Sequence, residues 1–169
     1  MGSGASTPAS ARLNWLSTLP CFRSLDQASL LTVSSKAHEI TYKKGGVVIA
    51  EGGIGMVFGI LVSGKVAVTA SGPAGSPILL CHQSPGFFFG EAAIIGNTAT
   101  TATITAIENC SVLALTSKEL QELALENPEV RESLLTTVSL RMKQNLRKVS
   151  GERVVSARFC LRSGIICDK

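Results

Sequence analysis

Between Glu39 and Leu115 the chain never keeps one pattern for long. Segments rich in apolar and β-branched residues (Glu39–Tyr42, Val47–Ala50, Val57–Val62, Lys65–Thr69, Ile78–Cys81, Thr101–Ile107 and Ser111–Leu115) are cut apart by turn formers. These are Gly45-Gly46, Gly52-Gly53, Ser63-Gly64, Ser71-Gly72-Pro73-Ala74-Gly75 and Pro85-Gly86. Short strands with turn chemistry about every 8–12 residues specify a sandwich or a barrel. A parallel sheet needs a crossover of helical length between its strands, and none interrupts this run. The expected centre of the fold is an antiparallel β-roll, jelly-roll-like, of about eight strands. Phe87-Phe88-Phe89 reads as buried strand residues in preference to a lid.

Helical patterns flank the strands. A short helical segment is expected around Arg12–Leu19. Ser24-Leu25-Asp26-Gln27 has the form of a capping box, with Ser at the N-cap and Gln three residues later. The helix it opens runs to about Ser34 and offers Leu30, Leu31 and Val33 for burial. After the strands, Ser117 is placed to cap a helix through about Glu126. Asn127-Pro128 ends that helix and starts another, with Pro in its first turn. Val130, Leu134, Val138, Met142 and Leu146 then recur near the helical period to about Val149. The fold class is therefore mainly β, with N-terminal helices and two C-terminal helices. The expected organisation is a disordered N-terminus at 1–11, one folded domain at 12–149 and a tail at 150–169.

Charge is distributed unevenly. Residues 141–169 carry eight Lys/Arg against two Asp/Glu, a balance of +6, and residues 1–140 carry eight against ten, a balance of −2. Such a basic segment suits an anionic membrane or an acidic partner, and its plainer reading is a solvated helix face with a loose end. From Val66 to Ser117 there is no Lys or Arg at all. No apolar run reaches the roughly 18 residues of a membrane-spanning helix, and the N-terminus lacks the form of a secretory signal. The five cysteines (Cys21, Cys81, Cys110, Cys160 and Cys167) are odd in number, widely spread and without a CxxC pair. Reduced thiols in a cytoplasmic protein, with no metal site, are expected. Met1-Gly2-Ser3-Gly4-Ala5-Ser6 fits N-myristoylation at Gly2. One acyl chain binds membranes marginally, so the basic tail would have to supply a second signal for membrane association.

Four motifs, in this order, resemble the cyclic nucleotide-binding domain, the family of kinase regulatory subunits, nucleotide-gated channels and the bacterial catabolite activator. They are Leu19-Pro20-Cys21-Phe22-Arg23-Ser24-Leu25, the stretch Tyr42-Lys43-Lys44-Gly45-Gly46 through Glu51-Gly52-Gly53, the hairpin Phe58–Val66 with Ser63-Gly64 at its turn, and Pro85-Gly86-Phe87-Phe88-Phe89-Gly90-Glu91-Ala92-Ala93. The last is similar to the opening of the family's phosphate-binding cassette. The resemblance implies a β-roll flanked by helices over residues 15–149. It also implies that Glu91 accepts from a ribose 2′-hydroxyl and that backbone amides of Ala92 and its neighbours face a cyclic phosphate. Gly90, Glu91, Ala92, Ala93, Thr100, Thr101 and Ala102 become the candidate ligand residues. The last helix, Pro128–Val149, becomes a lid contacting the roll through Leu134, Val138 and Met142.

One departure stands out. The family's phosphate-binding Arg falls at Thr100, within Thr98-Ala99-Thr100-Thr101-Ala102-Thr103-Ile104, and the cation-free stretch supplies no neighbour to replace it. Thr101 matches a position where a hydroxyl accompanies cyclic GMP preference, although normally beside the Arg. An Arg–phosphate fork contributes about 3–5 kcal/mol, so its loss costs roughly a hundred- to a few-thousand-fold in affinity. Three outcomes stay open: a neutral ligand such as a nucleoside, no ligand, or weak cyclic nucleotide binding rescued by Arg141, Lys143 or Arg147.

Catalysis finds no support. His38 and His82 have no partners at triad spacing. The glycines of Gly53–Gly59 lead into a strand pattern where a dinucleotide loop requires a helix. Residues 150–169 are too short for a helix-turn-helix, so DNA is not an expected partner. The expectation is a non-catalytic regulatory domain sensing a nucleoside or a cyclic nucleotide, coupled to a protein partner such as a kinase. The alternative is a ligand-free scaffold module that docks a protein or a membrane through the basic C-terminal segment.

Overall fold

The computed structural model describes residues 9–54, 57–72, 75–96 and 98–149. Gly2, Cys160, Cys167 and the tail at 150–169 lie outside the described residues. In chain order the elements are α1 (Ala9–Thr18), α2 (Gln27–Lys36), β1 (His38–Tyr42), β2 (Val47–Ile49), β3 (Val57–Ser63), β4 (Val66–Ser71), β5 (Pro77–Gln83) and β6 (Phe88–Phe89). They continue with α3 (Glu91–Gly96), β7 (Thr103–Ala106), β8 (Cys110–Thr116), α4 (Ser117–Glu126) and α5 (Pro128–Val149).

The eight strands form two four-stranded antiparallel sheets, ordered β1-β8-β3-β6 and β2-β7-β4-β5. Burial explains why two sheets form. In β4 and β7 every second residue is buried (Val66, Val68 and Ala70; Ile104 and Ala106), so one face looks inward and the other to solvent. In β3 and β8 the burial is consecutive, four residues running in each (Phe58–Leu61 and Val112–Leu115), because both faces are covered. Phe58, Ile60, Leu113 and Leu115 join the cluster beneath the helices. Leu61 and Val112 join the cluster between the two sheets. The period-2 geometry thus lets one sheet serve two cores.

Three helix starts lie off the expected residues. The N-cap of α2 is Asp26, whose carboxylate accepts from Ser29 N at 2.8 Å. Ser24 lies instead in a turn closed by Leu25 N donating to Phe22 O, which carries Leu25 into the core. The N-cap of α4 is Thr116, not Ser117. Thr116 accepts from Glu119 N while the Glu119 carboxylate accepts from Thr116 N, a reciprocal box. Only a cap at 116 places the acid at the third helical position. α1 begins at Ala9, three residues before the expected Arg12 and inside the stretch expected to be disordered.

α5 is anchored at its start, where Val130 and Leu134 are fully buried. The apolar stripe then leaves the core, with Met142 44% and Leu146 64% exposed. Residues four apart advance 400° around a helix of 3.6 residues per turn, so an i+4 stripe drifts about 40° per step.

Candidate functional site

The site is built around the chain reversal after β6. Phe88 and Phe89 pair with Ile60 and Gly59 of β3. Gly59 is required there, since a Cβ would lie 2.2 Å from the Phe89 ring. Alternation sends Phe88 into the cluster beneath the helices and Phe87 and Phe89 into the cluster between the sheets. The three phenylalanines are therefore buried wall residues, as the sequence suggests. Gly90 follows at φ +86°, with Val57 O 2.1 Å from where a Cβ would be. Only glycine fits this left-handed, backbone-crowded position. The turn delivers Glu91 as the first residue of α3, only 3% exposed.

A buried carboxylate needs a partner, and Glu91 finds it 50 residues away. Arg141 of α5 donates through Nη1 to Glu91 Oε1 at 2.6 Å and to Phe88 O at 2.6 Å. Its guanidinium carbon lies 4.7 Å and 4.5 Å from the Phe87 and Phe88 ring centroids, within cation–π range. Arg141 Nε is buried and makes no hydrogen bond. A donor left so costs about 1–3 kcal/mol. Behind the pair, burial pushes the fully buried Cys21 thiol up to about 12. Its own backbone hydrogen bond opposes that shift and the Glu91 charge adds to it. Cys21 is thus a protonated core residue.

Around this ion pair is a pocket with three walls. The roll contributes Ile49, Val68, Phe87, Phe89 and Ile104, and α5 contributes Val138, Arg141, Met142 and Asn145. The third wall holds Gly90, Glu91, Ala92, Thr100, Thr101 and Ala102, so six of the seven sequence candidates line one cavity. Ala93 lies in α3. The space between the walls is about 80 Å³, against roughly 300 Å³ for the smallest ordinary small-molecule sites. With α5 where it stands, the enclosed space is smaller than such sites.

Thr100 lines the pocket and also holds a turn. Its hydroxyl donates to Ala50 O at 2.5 Å and accepts from Gly53 N at 2.9 Å. Its backbone continues the same lock, with Thr100 N donating to Gly53 O at 2.9 Å and Gly52 N donating to Thr100 O at 2.8 Å. Thr100 therefore fixes the turn after β2, and its one hydroxyl proton is committed to Ala50 O. Thr101 is exposed at the rim, and Asn145 is half-buried on the opposite wall. Neither side chain makes a hydrogen bond among the described residues.

The three cations considered for rescue divide clearly. Arg141 reaches the site, whereas Lys143 and Arg147 are exposed. Sequence reasoning overlooked Lys148, whose ammonium donates to Leu80 O of β5. Two of the four basic residues between 141 and 149 thus hold α5 to the roll, where the plainer sequence reading was a solvated helix face. No helix among the described residues is long and apolar enough to cross a membrane, and no cluster of potential metal ligands is found among them.

The model of the cyclic nucleotide-binding domain matches residues 39–127. A CRP-like cAMP-activated global transcriptional regulator of Mycobacterium tuberculosis is 25% identical over 123 residues, covering 73% of this chain and 55% of the regulator. A cyclic nucleotide-gated potassium channel of Mesorhizobium japonicum is 32% identical over 123 residues, covering 70% of this chain and 32% of the channel. Among solved structures, the regulatory domain of Toxoplasma gondii PKA with cAMP superposes with a TM-score of 0.71 at 25% identity. That match covers 78% of this chain and 49% of the other. The chain spans about half the length of the regulator and a third of the channel.

Proposed function

Because the chain belongs to the cyclic nucleotide-binding domain family, we propose that it is a non-catalytic regulatory domain sensing a ligand with a nucleoside core. The observation that carries this reading is the shared wall. One pocket is lined by the turn holding Glu91 and by the last helix, and a single ion pair joins them. A ligand entering there meets an apolar wall fit for a base and a carboxylate fit for ribose hydroxyls. It must also displace α5, so occupancy becomes a change in helix position that a partner can read.

Specificity is shifted from that of a phosphate-dependent site. The stretch from Val66 to Ser117 brings no cation, and α3 is only six residues long, so its dipole offers little to an anion. Among the described residues Arg141 is the one cation lining the pocket. The ligand is accordingly a weakly held cyclic nucleotide or a neutral nucleoside, and Arg141 is the group in the pocket that can discriminate between the two. The cyclic AMP named for the Toxoplasma domain and the mycobacterial regulator makes that nucleotide the first to test.

The test is thermal unfolding with cyclic AMP, cyclic GMP, adenosine, inosine and guanosine at millimolar concentration. A ligand present at 100 times its dissociation constant adds about 2.7 kcal/mol, a rise of roughly 5–10 °C for a domain of this size. No shift with any of the five would overturn the sensing reading. The scaffold alternative, for which Lys143 and Arg147 remain exposed on α5, predicts that result.

A further inference from the structure

We propose that Arg141 is the specificity-determining residue of this pocket, a tethered cation that disfavours neutral nucleosides and favours those carrying a phosphate. The inference rests on the ligand-sensing reading above. Arg141 Nη1 already holds Glu91 Oε1 at 2.6 Å, in the position from which that carboxylate would receive a ligand hydroxyl. A neutral nucleoside must compete with a charge-assisted bond for Glu91, and the competitor is part of the same chain, present at high effective concentration. Nothing in an uncharged ligand compensates the displaced guanidinium.

A phosphate changes the balance. Arg141 uses one nitrogen for both of its bonds, while Nε is buried without a partner. A ligand phosphate gives that nitrogen an acceptor in the fork geometry guanidinium favours. Moving to the phosphate, Arg141 frees Glu91 for the ribose. Phe87 and Phe88 hold the guanidinium at 4.7 Å and 4.5 Å through their rings, so a short swing keeps it over an aromatic face. Among the described residues no other Lys or Arg lines the pocket, so removing this one residue should move the two ligand classes in opposite directions.

The experiment titrates cyclic AMP and adenosine into the wild-type chain, Arg141→Ala, Arg141→Lys and Lys143→Ala, with folding checked by circular dichroism. Arg141→Ala should weaken cyclic AMP about ten- to a hundredfold, the net loss of about one charge-assisted bond once the gain from a freed Glu91 is set against the lost fork. Adenosine should bind Arg141→Ala as well as or better than wild type, so the preference for cyclic AMP falls at least tenfold. Arg141→Lys, which keeps the charge and loses the fork, should lie between them. Lys143→Ala, altered on the exposed side of the same helix, should match wild type. A preference that moves less than threefold in both Arg141 variants overturns the proposal, as does a parallel loss of both ligands, which would make Arg141 a structural clamp. Failure of both ligands to bind any of the four proteins would instead refute the sensing reading beneath it.

Discussion

Replacing Thr100 by Val distinguishes a ligand contact from a structural lock. Valine keeps the shape and removes the hydroxyl that donates to Ala50 O at 2.5 Å and accepts from Gly53 N at 2.9 Å. Both backbone groups lose their side-chain partner at a residue only 9% exposed, and keep the weaker 3.3 Å bond from Gly53 N to Ala50 O. That bond and the exposure of Ala50 limit the loss to about that of one unpaired polar group, about 1–3 kcal/mol. For a chain of this length that is a fall of roughly 2–12 °C in Tm. Thr100→Ser keeps the hydroxyl and loses one methyl group, about 0.8 kcal/mol or less, so it should fall less. Urea and thermal unfolding without ligand read the difference directly. Ligand-dependent shifts in Thr100→Val should survive, because the hydroxyl is committed to the turn. An unchanged Tm together with lost ligand stabilisation would refute the reasoning and return Thr100 to the ligand.

Two further tests address the framework. Gly90→Ala should be strongly destabilising and worse than Gly59→Ala. Its Cβ would meet the Val57 carbonyl at φ +86°, whereas Gly59 faces only the Phe89 ring; comparable Tm losses would contradict this. The Glu119 carboxyl is held below its usual 4.5 chiefly by the Thr116 backbone N–H, with slight burial opposing. Its folded value lies below its unfolded one, so the unfolded state binds more protons. Its contribution is complete above about pH 4.5 and is lost as pH falls through the lowered value. The group is largely exposed, so the effect is small. Glu119→Gln, which preserves the capping geometry, should be near neutral at pH 7 and flatten the acid limb of the Tm–pH curve. An unaltered acid limb would argue against the cap.

The strands and the last two helices were readable because local chemistry dictates them. Glycine turns and period-2 burial fix β4 and β7, and Asn127-Pro128 leaves α5 no earlier start. Errors arose where two residues offer the same chemistry. Ser24 and Asp26 are both good N-caps, and the choice falls to Asp26 because Leu25 must turn into the core. Thr116 and Ser117 are likewise equivalent locally, until Glu119 at the third helical position selects Thr116. The commitment of the Thr100 hydroxyl to Ala50 and Gly53 could not be read from the chain. It joins residues about 50 apart whose apposition exists only once β2 and β7 pair.

The ion pair at Glu91 shows what a better use of the same sequence would have found. A cation-free run around a buried acid announces that the compensating charge comes from elsewhere, and three residues of the last helix were candidates. Helical phase chooses among them. Leu134 is fully buried, and seven residues bring a helix back to within about 20° of the same direction. Arg141 is that residue, and Lys148 is the next on the line. These two reach the roll, through Glu91 and Leu80 O. Lys143 and Arg147 lie well off that line and stay exposed. The i+4 stripe through Met142 and Leu146 appeared to be the buried face because it is apolar, yet its drift carries it out of the core. The line of α5 that meets the roll is therefore a leucine followed by two cations, and of these Arg141 stands in the pocket wall beside Val138, Met142 and Asn145. That makes the helix's grip on the roll electrostatic where it meets the ligand site, and open to competition from a charged ligand in a way that an apolar seam would not be.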